Sequence, residues 1–246
     1  MMRTAAKEHP LIFSLVWGVV LTMAVSVASA VSAIQEFGDT GIRYAQACAY
    51  LLMAVITTVY MKRKDPSLLS FGIRKLEAAP SRPVLFYIPL LIFAVAQPLM
   101  NGINVELGAP EVISIVMMTL MVGYTEEVVF RGIIWNYLKS KGPLFYIVFS
   151  SVLFGLLHMA NAFGGNDLLH TLLQVANALL LGFVLALLMV AGRNLIPLIG
   201  FHFLYDALAM VSNENLEHEV LIVAILNILY LIYGIYLVMV LKKKAV

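Results

Sequence analysis

The chain contains eight predominantly apolar stretches, each close to the length that a helix needs to cross a lipid bilayer. Their predicted bounds are 11–33, 43–61, 84–100, 111–138, 143–160, 168–191, 195–211 and 219–241. Inside a bilayer the backbone must satisfy its own hydrogen bonds, and a helix does so within one segment. The sequence therefore predicts an all-α membrane protein, a single domain over 1–246, with about eight transmembrane helices.

The composition agrees with a place in the membrane. Hydrophobic residues make up 62% of the chain and charged residues 12%, whereas a soluble domain has about 25% charged residues. The net charge of +2 does not indicate a nucleic-acid partner, because the basic residues form short clusters at the ends of the predicted spans. The single cysteine, Cys48, lies in an apolar run, which excludes a disulfide framework and a cysteine-based metal site.

The basic residues predict the orientation of the helices. If the eight spans alternate, one side holds 14 of the 16 basic residues: Arg3, Lys7, Lys62, Arg63, Lys64, Arg74, Lys75, Arg82, Lys139, Lys141, Arg193, Lys242, Lys243 and Lys244. The opposite loops carry acidic residues: Glu36, Asp39, Glu106, Asp167, Glu214, Glu217 and Glu219. The positive-inside rule then predicts that both termini are cytoplasmic. The first span also resembles a signal peptide, but its long apolar core indicates that it is retained.

Span four contains three ionisable residues, and each costs several kcal/mol at this depth unless it has a partner or water. Glu127 and Arg131 are four residues apart, so they share a helix face and can form an ion pair. Glu126 points about 100° away from Glu127 and has no partner within the helix. The three residues could form a buried ion-pair contact that holds helices together, or Glu126 could take part in catalysis.

Two further polar constellations lie in spans five and seven. Phe154 and His158 are four residues apart, as are His202 and Asp206, so each pair shares a helix face. Asn161, one turn beyond His158, is either a third polar group or a helix end. Each pair alone could simply hold two helices together by hydrogen bonds.

The depths of these residues, counted along each helix, overlap. Spans four and five are joined by a short loop and should be antiparallel neighbours. We therefore expect Glu126, His158, His202 and Asp206 to share a conical polar cavity that opens toward the cytoplasmic side. Such a cavity could use water for acid–base chemistry.

The sequence lacks two known protease signatures. It has no HExxH, the zinc metalloprotease motif, and no GxSxG serine elbow. Two ways of hydrolysing a peptide bond are then left: a water activated by a glutamate, or a metal held by Glu126, His158 and His202. The second option has suitable ligand types but no compact spacing signature.

Three short motifs resemble those of a known family. Residues 126–132 read EEVVFRG, which is similar to the EExxFRG motif of the CAAX protease and bacteriocin-processing family (CPBP, or Abi), which includes the type II CAAX prenyl endopeptidases. Residues 154–158, FGLLH, resemble its FxxxH motif, and residues 202–206, HFLYD, resemble its Hxxx(N/D) motif. The resemblance covers a core of roughly 112–211.

The resemblance implies an intramembrane endopeptidase that needs no metal or other cofactor. Glu126 would activate a water with help from His158, and His202 and Asp206 would line the oxyanion site. We expect four neighbours to support these residues: Glu127, Arg131, Phe154 and Asn161.

Position 206 departs from the prenyl-protease pattern, which typically has asparagine there. An ionised aspartate would repel an oxyanion, whereas an amide would donate to it. Asp206 could be protonated through burial, or it could hold His202 as an imidazolium. The sequence does not choose between these two alternatives for Asp206.

The resulting expectation is hydrolysis of a peptide bond in a membrane protein or peptide, in a bacterial plasma membrane. The alternative is a non-proteolytic scaffold, bacteriocin self-immunity or signalling-regulator protein that binds a partner in the same cavity. The sequence indicates neither the substrate, prenylated or not, nor the oligomeric state.

Overall fold

The computed structural model describes residues 9–75, 85–164 and 168–244, which fold almost entirely into helices. We number the α-helices in chain order: α1 Pro10–Ile34, α2 Asp39–Lys64, α3 Ile88–Ala94, α4 Ala96–Asn101, α5 Ala109–Glu127, α6 Ile134–Leu138, α7 Pro143–Leu157, α8 Leu168–Gly192, α9 Ile196–Met210 and α10 Leu216–Lys244. Wider π-type turns over Val128–Ile133 join α5 to α6. Short 3-10 turns occur at Leu69–Phe71, Lys139–Lys141 and His158–Gly164.

Among the described residues, six helices are long and apolar enough to cross a membrane. They are Pro10–Ile34, Asp39–Lys64, Ala109–Lys141, Pro143–Ala162, Leu168–Gly192 and His218–Lys243. Many large apolar side chains on the outside of these helices are exposed, including Met23, Leu52 and Leu231. An apolar exterior of this extent is expected where a protein meets lipid. The predicted all-α membrane architecture is therefore confirmed.

The other two predicted spans correspond to shorter apolar helices, Ile88–Asn101 and Ile196–Met210. In the first, Pro98 interrupts the helix because it has no N–H to donate to the carbonyl of Ala94, where α3 ends. The predicted start of that span, residue 84, lies outside the described residues. Eight membrane crossings therefore remain a prediction.

Proline marks where several helices begin. A proline lies at the first or second position of five helices: α1, α3, α5, α7 and α9. The missing N–H costs nothing there, because the first N–H groups of a helix have no intrahelical acceptor, and the fixed φ of proline suits the helix. These prolines determine where the helices that carry the polar motifs start.

Two central helices, α5 and α8, each pack between two others. Helix α5 lies between α2 and α9, while α8 lies between α7 and α10. A Cβ atom added to Gly123 of α5 would lie 2.7 Å from the backbone nitrogen of Phe203 on α9. One added to Gly155 of α7 would lie 2.8 Å from Cβ of Leu179 on α8. Glycine therefore permits the close helix approach that is common in membrane proteins.

The two ends of the bundle differ in charge. One end holds the described basic clusters around Lys62–Lys64, Lys139 and Arg193, and the other holds the acidic loops around Glu36, Glu106 and Glu214. We call these the basic end and the acidic end. Four of the charged residues that predict the orientation lie outside the described residues: Arg3, Lys7, Arg82 and Asp167.

Candidate active site

The helix that carries the two glutamates widens into π-type turns immediately after them. All six residues of Val128–Ile133 are buried. The carbonyl of Phe130 accepts hydrogen bonds from Ser150 Oγ at 3.1 Å and from Tyr146 Oη at 3.4 Å. Side chains of α7 thus satisfy a backbone group in the widened segment. Single π-type turns inside a helix are often found at functional sites.

Glu127 and Arg131 form the ion pair that their spacing predicts. Arg131 Nη1 lies 2.9 Å from Glu127 Oε1, and both side chains are fully buried. The guanidinium lies 4.3 Å from the ring centroid of Phe154, a cation–π distance. Arg131 Nη2 also donates to the carbonyl of Gly182, at 3.4 Å. This pair is enclosed within the bundle.

Glu126, by contrast, faces a cavity. Its side chain is 11% exposed, and it lines a cavity of about 830 Å³. Glu126 Oε1 accepts a hydrogen bond from Tyr50 Oη at 3.1 Å. Its other oxygen, Oε2, lies 3.8 Å from His202 Nε2. The two adjacent glutamates therefore occupy different surroundings, as the helix geometry predicts.

Three carboxylates surround the ring of His202. Nδ1 lies 2.9 Å from Glu127 Oε1, which is an ordinary hydrogen-bond distance. Nε2 lies 3.4 Å from Asp206 Oδ2 and 3.8 Å from Glu126 Oε2, both longer than a normal N–H···O bond. Nε2 is therefore held less tightly than Nδ1, on the side of the ring that faces the cavity.

His158 lies at the point where α7 gives way to a 3-10 turn. Its Nδ1 is 2.8 Å from the carbonyl of Phe154, so Nδ1 carries the proton and Nε2 is left as the basic nitrogen. The Phe154 ring packs edge-on against His158 and Phe130, with centroids 4.8 and 4.9 Å away, and against His202 at 6.1 Å. Phe154 thus fixes the relative positions of both histidines.

The structure brings all eight residues singled out by the sequence to one region. Six of them line the cavity: Glu126, Phe154, His158, Asn161, His202 and Asp206. The other two, Glu127 and Arg131, are buried behind it. Asn161 donates from Nδ2 to Gln174 Oε1 at 2.8 Å, and Gln174 also lines the cavity.

Sequence reasoning missed Tyr50, Ser150 and Gly182. Tyr50 lies on α2, far in sequence from the three motifs, and tyrosine is common in membrane helices. Ser150 appears in an ordinary apolar run, and Gly182 in another. No local pattern distinguishes them, because their partners Glu126, the Phe130 carbonyl and Arg131 come from a different helix in each case.

Much of the cavity lining comes from the half of the bundle next to the acidic loops, and the opening toward the cytoplasmic side stays a prediction. The lining includes nine residues of α1 between Leu21 and Ala33, together with Ile42, Gln46 and Tyr50 of α2, in the halves of these helices next to the acidic loop 35–38. The prediction of an opening at the basic, cytoplasmic side was based on depth along each helix. Depth locates a residue, but it does not show at which end the helices separate.

The structure also bears on the alternative in which the site residues hold a metal ion. Across residues 9–75, 85–164 and 168–244, no group of three His, Cys, Asp or Glu side chains has the arrangement to hold a metal ion. The hypothetical ligand set of Glu126, His158 and His202 is therefore not assembled as a metal site within these residues.

A comparison with protein families matches the segment that contains all three motifs. Residues 108–208 match the family model described as Type II CAAX prenyl endopeptidase Rce1-like. The match runs from the start of α5 to near the end of α9 and excludes Tyr50. No curated protein and no solved structure matches the chain. Residues 108–208 of this integral membrane protein are therefore an Rce1-like domain, which places that segment in the CAAX protease family.

Proposed function

We propose that this protein is an intramembrane endopeptidase in which Glu126 activates a water molecule for attack on a peptide bond. The observation that carries the proposal is the different setting of the two glutamates. Glu126 faces a cavity with one oxygen bonded to Tyr50, whereas Glu127 is enclosed between Arg131 and His202. Only a carboxylate that reaches the cavity can accept a proton from water there. The Rce1-like domain supports a protease function at the level of the family.

In this mechanism Glu126 takes a proton from water while the water oxygen bonds to the carbonyl carbon of the substrate. His158 helps to orient the water through Nε2, since its Nδ1 is committed to the backbone. When the tetrahedral intermediate breaks down, the C–N bond breaks and Glu126 returns the proton to the leaving amine. A positioned acid–base group contributes typically about 10²–10⁴-fold to a rate.

His202 is the proposed donor to the oxyanion. If both ring nitrogens donate to the facing carboxylates, the ring is an imidazolium. Of the two alternatives for Asp206, this arrangement favours the one in which Asp206 holds His202 in that form, because Oδ2 lies 3.4 Å from Nε2. The loosely held Nε2–H can then turn to the oxyanion, which supplies the donor that an asparagine would provide.

The proposed substrate is a membrane-associated protein or peptide. The cavity of about 830 Å³ is large enough for several side chains, and its walls combine apolar residues with a few polar groups. Apolar walls suit a chain segment that is already in the lipid bilayer. We infer that both termini are cytoplasmic, from the distribution of basic residues. The compact loops favour a bacterial plasma membrane as the location.

Replacement of Glu126 by Gln tests the proposal. The side chain keeps its shape but cannot take a proton, so we expect Glu126→Gln to lower cleavage by at least about 10²-fold. Mass spectrometry of membrane and secreted peptides, compared between wild-type and variant cells, measures this effect. Immunoblotting of membranes should show equal amounts of both proteins.

Glu111→Gln is the matched control, because Glu111 lies on the same helix but outside this cavity. We expect it to leave the peptide profile unchanged. If Glu126→Gln is as active as wild type, the proteolytic proposal is wrong, and a protein that binds a partner in the same cavity becomes the better explanation.

A further inference from the structure

Asp206 presents a carboxylate to the cavity that is only loosely held. Its side chain is 28% exposed, and it lines the cavity beside Glu126 and His202. The distance from Asp206 Oδ2 to His202 Nε2 is 3.4 Å, which is longer than a normal hydrogen bond. Among the described residues, no side chain or backbone group donates a hydrogen bond to the other oxygen, Oδ1. Asp206 can therefore accept a hydrogen bond from a group that enters the cavity.

The charges that face the cavity do not cancel. Two carboxylates, Glu126 and Asp206, line it, and none of the described lining residues is a lysine or an arginine. With His202 as an imidazolium, two negative charges face one positive charge, so one negative charge is in excess. Arg131 does not balance this excess, because it pairs with the fully buried Glu127 behind the cavity.

The proposed reaction keeps the excess negative charge in place. When water attacks, its proton moves to Glu126, which becomes neutral, and a negative charge appears on the carbonyl oxygen of the substrate instead. His158 adds no charge in this step, because its Nε2 only orients the water. The cavity thus carries one excess negative charge before and after the attack.

Asp206 loses its polar partner during the same step. The Nε2–H of His202 turns from Asp206 to the oxyanion, so the Asp206 carboxylate is left without a donor and beside a second negative charge. A carboxylate without a counter-ion in apolar surroundings is costly, because it is neither paired nor hydrated as it would be in bulk water. A cation bound at Oδ1 would offset the charge of the carboxylate and that of the oxyanion.

The position of Asp206 places such a cation close to the cleaved bond. Asp206 Oδ2 and Glu126 Oε2 lie 3.4 and 3.8 Å from the same atom, His202 Nε2, which is the proposed donor to the oxyanion. Neighbouring residues of an extended chain are about 3.3–3.6 Å apart along the chain, and a lysine or arginine side chain is longer than that. A basic side chain next to the scissile bond can therefore reach Asp206.

The cavity wall also suits the stem of a basic side chain. Much of the wall is apolar and includes Met118, Val122, Phe130, Ala209 and Met210. Lysine and arginine carry their charge at the end of an apolar stem, which can lie against such a surface while the charged head meets a polar group. Basic residues are also common beside the cytoplasmic ends of membrane helices, so membrane proteins offer many segments of this kind.

We propose that Asp206 selects substrates with a lysine or arginine next to the cleaved bond, by pairing with the charged head of that side chain. This selection rests on the proposed function, because it places the cation beside a scissile bond. An asparagine at position 206 would donate to the oxyanion but would carry no charge, so it would not select for a basic residue.

Two matched pools of peptides test the selection. The first contains short apolar peptides with a central lysine, and the second has Nε-acetyllysine in its place, which keeps the stem and removes the charge. Both pools are blocked at their termini. Mass spectrometry of the products gives kcat/KM with the purified full-length protein in detergent, and fluorescence anisotropy of labelled peptides gives the Kd without cleavage. We expect the lysine pool to have a kcat/KM about tenfold or more above that of the acetylated pool, and a lower Kd.

Asp206→Asn separates charge recognition from a structural role. The variant keeps the size of the side chain and removes its charge, so the preference for lysine should disappear in kcat/KM and in Kd. Glu111→Gln removes a carboxylate of the neighbouring helix α5 outside this cavity, and it should keep the preference. An Asp206→Asn variant that loses activity but keeps the wild-type preference would overturn the proposal. A wild-type protein that treats the two pools alike would overturn it as well.

Failure of this proposal can be distinguished from failure of the proposed function. Suppose that Glu126→Gln is as active as wild type in cells, while the wild-type protein binds the lysine pool more tightly and Asp206→Asn does not. The protease would then be refuted, and cation recognition by Asp206 would stand. If Glu126→Gln is inactive but neither kcat/KM nor Kd differs between the pools, the protease stands and the selection by Asp206 is wrong.

Discussion

Glu126 and Glu127 are adjacent in sequence, but their carboxylates meet different groups. A step of about 100° around the helix directs one toward the cavity and the other toward Arg131 and His202. His202 lies between them and links the enclosed ion pair to the carboxylate that faces the cavity. The chemistry of the site therefore depends on single side chains, which can be tested one at a time.

Tyr50 is the proposed positioning residue for Glu126, because its hydroxyl donates to Oε1 at 3.1 Å. A hydrogen bond to a charged group is worth about 1.5–3 kcal/mol, so we expect Tyr50→Phe to lower kcat by about tenfold or more. KM should change little, because the hydroxyl acts on Glu126 and not on the substrate. A cleavage assay with purified protein in detergent measures both constants.

Tyr44→Phe is the matched control for this prediction. Tyr44 lies on the same helix, and its hydroxyl contacts the Pro110 carbonyl outside the cavity. The kcat of the Tyr44→Phe variant should equal that of the wild-type protein. Equal kcat values for Tyr50→Phe and Tyr44→Phe would remove Tyr50 from the mechanism.

The buried pair of Glu127 and Arg131 governs stability. Arg131→Met leaves the fully buried Glu127 without its guanidinium, and loss of one partner of such a pair costs about 3–5 kcal/mol. We expect a large drop in the unfolding temperature in detergent. The double variant Glu127→Gln/Arg131→Met removes both charges and should recover much of that loss. A double variant no more stable than Arg131→Met would show that the pair itself is not the cause.

At the scale of the element, the π-type segment and two glycine contacts hold the motif helices in register. The widened turns begin directly after Glu127 and are supported by Ser150 and Tyr146 of α7. Gly123 allows α5 to approach the backbone of α9, the helix that carries His202. The position of His202 relative to the glutamates therefore depends on a backbone contact one turn away from them.

Gly123→Ala tests this contact. The new Cβ would lie 2.7 Å from the Phe203 nitrogen, so α9 must shift, and we expect lower thermal stability together with reduced cleavage. Gly200→Ala provides the control, because nothing lies within 4 Å of a Cβ at that position of α9. Alanine is favoured over glycine in a helix by up to about 1 kcal/mol, so Gly200→Ala should be neutral or stabilising. A Gly123→Ala protein as stable and active as Gly200→Ala would contradict this account.

At the scale of the whole molecule, the helices that surround the cavity differ in how deeply they are buried. The central segment Ala109–Lys141 is 56% buried over its most apolar window, whereas α1 is 17% buried over its own. Of the six membrane-length helices, α1 has the smallest buried share, so we expect the local stability of the cavity wall to be lowest there.

The sequence by itself determined the membrane class, the helical architecture and the eight residues of the predicted site. These features depend on local periodicity. Twenty apolar residues predict a membrane helix wherever they occur, and residues four apart share a helix face whatever surrounds it. The Glu127–Arg131 pair was predictable for that reason, and the match over residues 108–208 agrees with the three motifs.

Only the tertiary structure decided which helices meet and where they separate. The bond from Tyr50 to Glu126, the support of the Phe130 carbonyl by Ser150 and the lining of the cavity all join segments that are distant in sequence. Such contacts depend on how whole helices pack and tilt, and hydrophobic periodicity carries no information about those variables. The break in the third predicted span near Pro98 was likewise decided by the tertiary structure. A proline can either kink or end a membrane helix, and the neighbouring helices determine which of the two occurs.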